Sequence, residues 1–237
     1  MKFGVTQPFT CSYLPERQEQ LLVYMPEQDA MSAKAYDKLI HSGFRRSGDQ
    51  IYRPHCAQCS ACHSIRVLTY EFTPSRSQKR VLNKNRDITI VVNDAPIAEV
   101  VKSHPAYFAL YVKYITQRHA DGSMYPPNLQ NFTQFLGCEW ETPLLVEAWL
   151  HDELVGVAVT DKTVMGLSAF YTFFSPDYPK RSLGVFMILQ QIQLSASMHK
   201  PYLFLGYQID DCTKMNYKKQ YQPYERFNGE YWVRSTQ

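Results

Sequence analysis

The period of apolar and polar positions changes several times along the chain, and each change marks an element. After an irregular opening, "DAMSAKAYDKLIHSG" puts Met31, Ala35 and Leu39 on one face of a helix, with Asp29 in position to cap it and Gly43 to end it. "FRRSGDQIYRP" predicts a hairpin turning at Ser47, Gly48 and Asp49, and the alternation in "SIRVLTYEF" predicts a half-buried strand. A short helix in "SRSQKRVLNKNRD" turns Val81 and Leu82 inward. A strand "ITIVV", a long aromatic helix in "PAYFALYVKYITQRH", the turn-rich "DGSMYPPN" and a short helix in "LQNFTQFLG" complete the first part.

From Pro143 the pattern becomes β-rich, with three apolar runs separated by turns at His151-Asp152 and around Asp161-Lys162. A Pro-rich loop and a helix follow in "SPDYPKRSLGVFMILQQIQLSASMH", then a strand in "KPYLFLGYQ". Antiparallel meander, loop, helix, strand is the order of an acyltransferase core of the N-acetyltransferase (GNAT) type. The expected fold is therefore α+β, a mostly antiparallel sheet flanked by helices. A division near residue 100 separates an N-terminal domain, residues 1–100, with the cysteines and a basic helix, from a GNAT-like C-terminal domain, residues 101–237. No repeat or low-complexity tract interrupts it.

Of the 237 residues, 45% are hydrophobic and 20% charged, which suits a folded chain and excludes a disordered one. No apolar run approaches the ~20 residues of a membrane span, and "MKFGVTQPFT" lacks the apolar core of a secretory signal, so a cytosolic location is expected. Six cysteines in a reducing compartment argue against a disulfide framework. Cys56, Cys59 and Cys62 in "YRPHCAQCSACHSIRV" have the spacing of a zinc or iron–sulfur knuckle that lacks a fourth ligand. Cys11 is the distant candidate and His55 or His63 the local ones. The alternative is a loop of reduced thiols, and both readings stay open. Cys138 and Cys212, isolated, read as small hydrophobes.

The formal charge of +3 is mild, but Arg76, Lys79, Arg80, Lys84 and Arg86 are concentrated on one short helix. Arg76, Arg80 and Lys84 recur every fourth residue, which makes either a solvated face or a ridge for phosphates. The loop "KRSLGVF" before the last long helix offers free backbone N–H groups to an anion. It resembles the R/Q-x-x-G-x-G/A loop that holds coenzyme A, except that Phe186 stands in the last small position, where a large side chain is expected to hinder a pyrophosphate.

"CSYLPER", "YRPHCAQCSACHSIRV", "DGSMYPP", "KRSLGVF" and the long "LGYQIDDCTKMNYKKQYQPYE" together resemble the arginyl-tRNA–protein transferase family. They are nearest to its short bacterial branch of aspartate/glutamate leucyltransferases. The resemblance implies transfer of leucine from leucyl-tRNA to the α-amine of proteins beginning with Asp or Glu, a step of the N-degron pathway that marks them for degradation. An arginyl-tRNA–protein transferase with the same acceptors, a coenzyme A-dependent N-acetyltransferase and a non-catalytic RNA-binding module are the alternatives. Related eukaryotic enzymes pair "CGYC" with later cysteines at a metal cluster, whereas this chain has Leu14 at the second of those positions.

The chemistry implied needs no nucleophilic triad and no cofactor, because the donor is already an activated ester and the task is to hold it against a neutral amine. Asp210, with Asp211 beside it, is the candidate to orient the amine or take its proton, and turn capping is the alternative role. Tyr207 is the candidate donor to the oxyanion. Arg181, Lys214 and Lys218 are the candidate readers of the acceptor's carboxylate. Leucyl-tRNA is assigned to Arg76, Lys79, Arg80 and Lys84. Tyr217, Tyr207 and Tyr221 either stack on its terminal base or pack in the core.

Overall fold

The computed structural model describes residues 1–26 and 31–235. In chain order the first elements are β1 (Lys2–Val5), β2 (Phe9–Thr10), β3 (Gln18–Glu19), β4 (Leu21–Met25), α1 (Ala33–His41), β5 (Arg45–Ser47), β6 (Gln50–Pro54) and β7 (His63–Leu68). Next come α2 (Arg76–Lys84), β8 (Ile88–Asn93), α3 (Ile97–Ser103), α4 (Ala106–Arg118) and α5 (Leu129–Leu136). The last are β9 (Leu144–Leu150), β10 (Glu153–Lys162), β11 (Gly166–Phe174), α6 (Leu183–Ser197), β12 (Tyr202–Gln208), β13 (Tyr224–Phe227) and β14 (Trp232–Arg234). The pattern missed α3, whose seven residues lie between two prolines, and the short strands at both ends of the chain.

Local chemistry explains the boundaries. Asp29, the expected cap of α1, lies outside the described residues, and Ser32 Oγ accepts the Ala35 N–H at 3.3 Å. The buried face of α1 is Tyr36, Leu39 and Ile40. Gly43 ends it with φ +82°, a conformation that suits glycine, and a Cβ there would stand 2.9 Å from Phe227. Ser75 and Gln78 form a reciprocal capping box at the start of α2.

Among the described residues, the larger sheet has eight strands in the order β14-β13-β7-β12-β11-β10-β9-β8, and a four-stranded sheet runs β1-β4-β6-β5. Neighbours in the larger sheet are antiparallel except β11 and β12, which are parallel and joined through α6. The architecture is thus the expected mixed α+β type with antiparallel pairing dominant. β7 and β8 come from before residue 100, and the other strands of this sheet from after it. Alternation along β9 and β10 divides the core: Leu145, Val157 and Val159 face α4 and α5, while Val146, Ala148 and Ala158 face α6. Phe186 is buried in this second core. The first turn of α6 places it on the inner face, so it does not crowd the start of that helix from outside. Among the described residues no helix is long and apolar enough to cross a membrane.

β11 and β12 pair only where Gly166, Leu167 and Ser168 meet Tyr202, Leu203 and Phe204, and then separate. A bulge between Phe204 and Gly206 accompanies the parting, with Gly206 at φ +80°. The guanidinium of Arg45, from β5, fills the gap, donating to Ser168 Oγ at 2.9 Å and to Ala169 O at 2.8 Å. Its neighbour Arg46 is fully buried. It pairs with Asp161 at 2.7 Å, donates to Leu136 O and Gly137 O at 2.9 and 3.0 Å, and lies 3.9 Å over the Phe170 ring. Tyr36 also donates to Asp161, at 3.1 Å.

A buried ion pair is costly to break, because the surviving charge loses its partner in a dry site. The Arg46→Met variant is expected to lose about 3–5 kcal/mol of stability, read as a lower urea midpoint. A change within error would remove this pair from the account of how the hairpin is held.

Candidate active site

The cysteine stretch connects β6 to β7 and folds over a cleft of about 270 Å³. Cys11, Cys56, Cys59 and Cys62 all line it, along with Arg17, Arg53, His55 and His63, and Tyr207 and Ser64 belong to its inner wall. Cys59 Sγ accepts from Arg17 Nη1 at 3.1 Å. The Ala61 N–H, followed by Arg17, holds the Cys59 thiol below its usual range. Burial pushes Cys62 up to about 12, with Cys11, Cys56 and Cys59 adding to the rise. The four sulfurs named from the sequence are therefore gathered on one cleft, and their type suits zinc or a cluster. Among the described residues, however, no three His, Cys, Asp or Glu side chains stand in an arrangement that would hold a metal ion. Cys212 packs against Leu14 and Ile209 as a small hydrophobe, and Cys138 donates to Glu141 O at 2.9 Å.

Behind the cleft, the end of β12 carries the long C-terminal motif. Tyr207 is buried, and its hydroxyl faces Gly43 O at 3.1 Å and Tyr52 O at 3.3 Å. Burial raises it well above the ordinary tyrosine range, so it stays neutral. Lys218 is also buried and donates to Tyr207 O at 2.6 Å. Desolvation, then the charge of Arg45, lowers its ammonium to about 7. Asp210 accepts from both Arg226 Nη1 and Nη2, at 2.8 and 3.0 Å, and from Gln208 at 3.0 Å. The Arg226 hydrogen bonds lead in lowering Asp210 to about 2, which leaves it ionised and a weak base.

Of these three, Tyr207 lines the cysteine cleft, Lys218 is tied to the Tyr207 carbonyl behind it, and Asp210 follows the end of β12, held by Arg226 and Gln208 outside the cleft lining. The other named residues lie elsewhere. Arg181 is joined to Asp87 by two hydrogen bonds of 2.7 and 2.8 Å and to Lys84 O, which ties the start of α6 to α2. Lys214 is largely exposed, 3.9 Å from Asp121. Arg76, Lys79, Arg80, Lys84 and Arg86 are all exposed on and beside α2, and Lys84 donates to Lys180 O at 2.7 Å. Tyr217 is 42% exposed, whereas Tyr221 is fully buried in the core under α6 and presents no face for a base, the packing alternative having prevailed. Sequence reasoning missed Arg17, Arg45 and Arg53. An arginine in a short polar run carries no mark of burial, and only the doublet Arg45-Arg46 beside a turn was there to notice.

Two outcomes follow from these environments. Under limiting iodoacetamide at neutral pH, Cys59 is expected to be alkylated well before Cys62, as read by peptide mass spectrometry; the reverse order would contradict the Arg17 contact. Lys218 titrates near 7 when folded and at its ordinary 10.5 when unfolded, so the unfolded chain binds more protons across that interval. The burial cost is fully present below pH 7 and is relieved as pH rises, so stability gains a rising component that Lys218→Met abolishes. Denaturation midpoints of both proteins from pH 7 to 9 that run parallel would refute it.

Residues 106–228 match the family model of the arginine-tRNA-protein transferase C terminus, and residues 9–80 match that of its N terminus. The aspartate/glutamate leucyltransferase of Pseudoalteromonas atlantica is 50% identical over 98% of this chain and 96% of its own length. That of Aeromonas hydrophila is 46% identical over 98% of this chain and 94% of its own. A solved structure, L-PGS from Bacillus licheniformis, aligns at a TM-score of 0.49 and 13% identity over 63% of this chain and 47% of that one. With both family models matched in order across the cleft and the β12 motif, the chain belongs to the arginine-tRNA-protein transferase family.

Proposed function

We propose that this protein moves leucine from leucyl-tRNA to the α-amine of proteins whose first residue is Asp or Glu. The observation that carries the reading is the 50% identity, over nearly the full length, to a protein named aspartate/glutamate leucyltransferase. In the reaction the amine nitrogen attacks the ester carbonyl and the ester C–O bond breaks. An amide forms, and the proton lost by nitrogen ends on the released 3′ hydroxyl or on solvent.

Lys218, poised at about 7 beside Tyr207 O, is suited to exchange that proton. The Tyr207 hydroxyl directs its one proton at the Gly43 and Tyr52 carbonyls, so it braces the cleft wall and has none left for the oxyanion role expected of it, and Asp210, fixed by Arg226, orients its surroundings rather than accepting a proton. The meander β9-β10-β11, the α6 connection and the parting of β11 from β12 support a GNAT-like acyltransferase core. The exposed cations of α2, with Tyr217, give the tRNA a phosphate ridge and an aromatic face. A cytosolic place in the N-degron pathway, with leucine marking its acceptor for degradation, goes with this reading. The coenzyme A alternative keeps an arm in the test because Phe186 is turned into the core.

Radiolabelled leucine from charged tRNA is expected to reach peptides beginning with Glu or Asp and not those beginning with Gln. Label arriving only from arginyl-tRNA, or only from acetyl-coenzyme A, would overturn the leucine assignment.

A further inference from the structure

Resting on that reading, we propose that the cysteine-lined cleft is the acceptor site, in which Arg53 and Arg17 grip the side-chain carboxylate of an acidic first residue. Three observations converge on it. The first is charge. The two guanidinium groups of Arg17 and Arg53 line the cleft against one acid, Glu19, whose carboxylate already accepts the Ser12 N–H at 3.3 Å. An anion entering here meets an excess of cations.

The second is availability. Arg46, Arg66, Arg181, Arg226 and Arg234 each have a carboxylate oxygen within 2.6 to 2.8 Å. Arg53 differs: it donates Nη1 to Ser42 O at 3.1 Å and lies 5.1 Å over the Phe44 ring, with no carboxylate partner among the described residues. Arg17 gives Nη1 to the Cys59 thiol, and its acid neighbour Glu16 is 3.7 Å away on Nε. Both guanidinium groups therefore keep donors for a ligand, and a planar fork matches a carboxylate better than an ammonium does. The lysines and Arg181 do not compete for this role. Lys218 is committed to Tyr207 O, Arg181 to Asp87, and Lys214 stands out in solvent.

The third is position. Tyr207 lines the cleft while its carbonyl accepts from Lys218, so the wall that a first residue held there would meet is the one bonded to Lys218. Nearby cations also favour the neutral form of that amine, which is the form that attacks. A cleft of about 270 Å³ suits one side chain and its backbone. RNA phosphates are matched instead by the open ridge of α2.

The test uses the full chain, saturating leucyl-tRNA and peptides differing only in a first Glu or Gln. Arg53→Gln and Arg17→Gln are expected to raise the KM for the Glu peptide by about tenfold or more, the loss that follows removal of a charge-assisted hydrogen bond. They are also expected to shrink the Glu-over-Gln preference and to leave the KM for leucyl-tRNA in place. Arg53→Lys, which keeps the charge and the fold but not the fork, is expected to fall between. Polarisation binding of a labelled Glu peptide without tRNA reads the cleft separately. Were the wild type to bind the peptide yet transfer no leucine, the proposed reaction would fail and the site would stand. An unchanged Glu-over-Gln preference in both glutamine variants, or an effect on tRNA alone, overturns the site.

Discussion

Two adjacent guanidinium groups, Arg45 and Arg46, reach from a short hairpin into the large sheet, and the placement of everything around the cleft depends on them. Burying such charges costs several kcal/mol each unless every donor finds a partner. Arg46 meets this demand with Asp161 and backbone carbonyls, which makes it a structural tie between the hairpin, the C-terminal end of α5 and β10. Arg45 meets it only in part, through a hydroxyl and one carbonyl, at the point where β11 and β12 part. Its uncompensated charge then acts at a distance: it is one of the causes that lower Lys218.

That parting is itself a consequence of backbone chemistry. Parallel strands joined by a helix need not pair along their whole length: β12 pairs with β7 from Tyr202 to Gln208 across the Gly206 bulge, while β11 pairs with it only at its start and continues beside β10. The backbone groups released at the gap have to be satisfied, and an arginine from another sheet does so. Tyr207 follows directly, so its hydroxyl meets the carbonyls of Gly43, at the end of α1, and of Tyr52, in β6, while its own carbonyl meets Lys218. One residue thus joins the N-terminal sheet, the cleft and the C-terminal motif.

The cysteine loop lies on the other wall of the same cleft. Its sulfurs are held at different potentials for reaction, since Cys59 is eased toward thiolate by an N–H and Arg17 while Cys62 is pressed toward thiol by burial. Arg17 couples this loop to the cleft's charge, so chemistry at Cys59 bears on what the cleft can grip.

Much of the secondary structure was legible because its signals are local. The α2 helix, the Gly43 stop and the Ser47-Gly48-Asp49 turn need only neighbours within a few positions; β7 was legible as a strand but not as half-buried, because Ser64 to Leu68 are all buried between β12 and β13 and the layers on both faces. The long C-terminal motif likewise named the family, and with it the chemistry. The sequence could not say which cations stay free, because pairing is decided between distant residues: Arg181 meets Asp87, Arg226 meets Asp210 and Arg46 meets Asp161 only after the strands assemble. It also could not tell the exposed Tyr217 from the buried Tyr221, four residues on. What the chain determined by itself was the longer helices and strands and the kind of reaction; what tertiary structure decided was which charged groups are spent on one another and which remain for a substrate, since Coulomb attraction and burial act through space and leave no periodic trace along the chain.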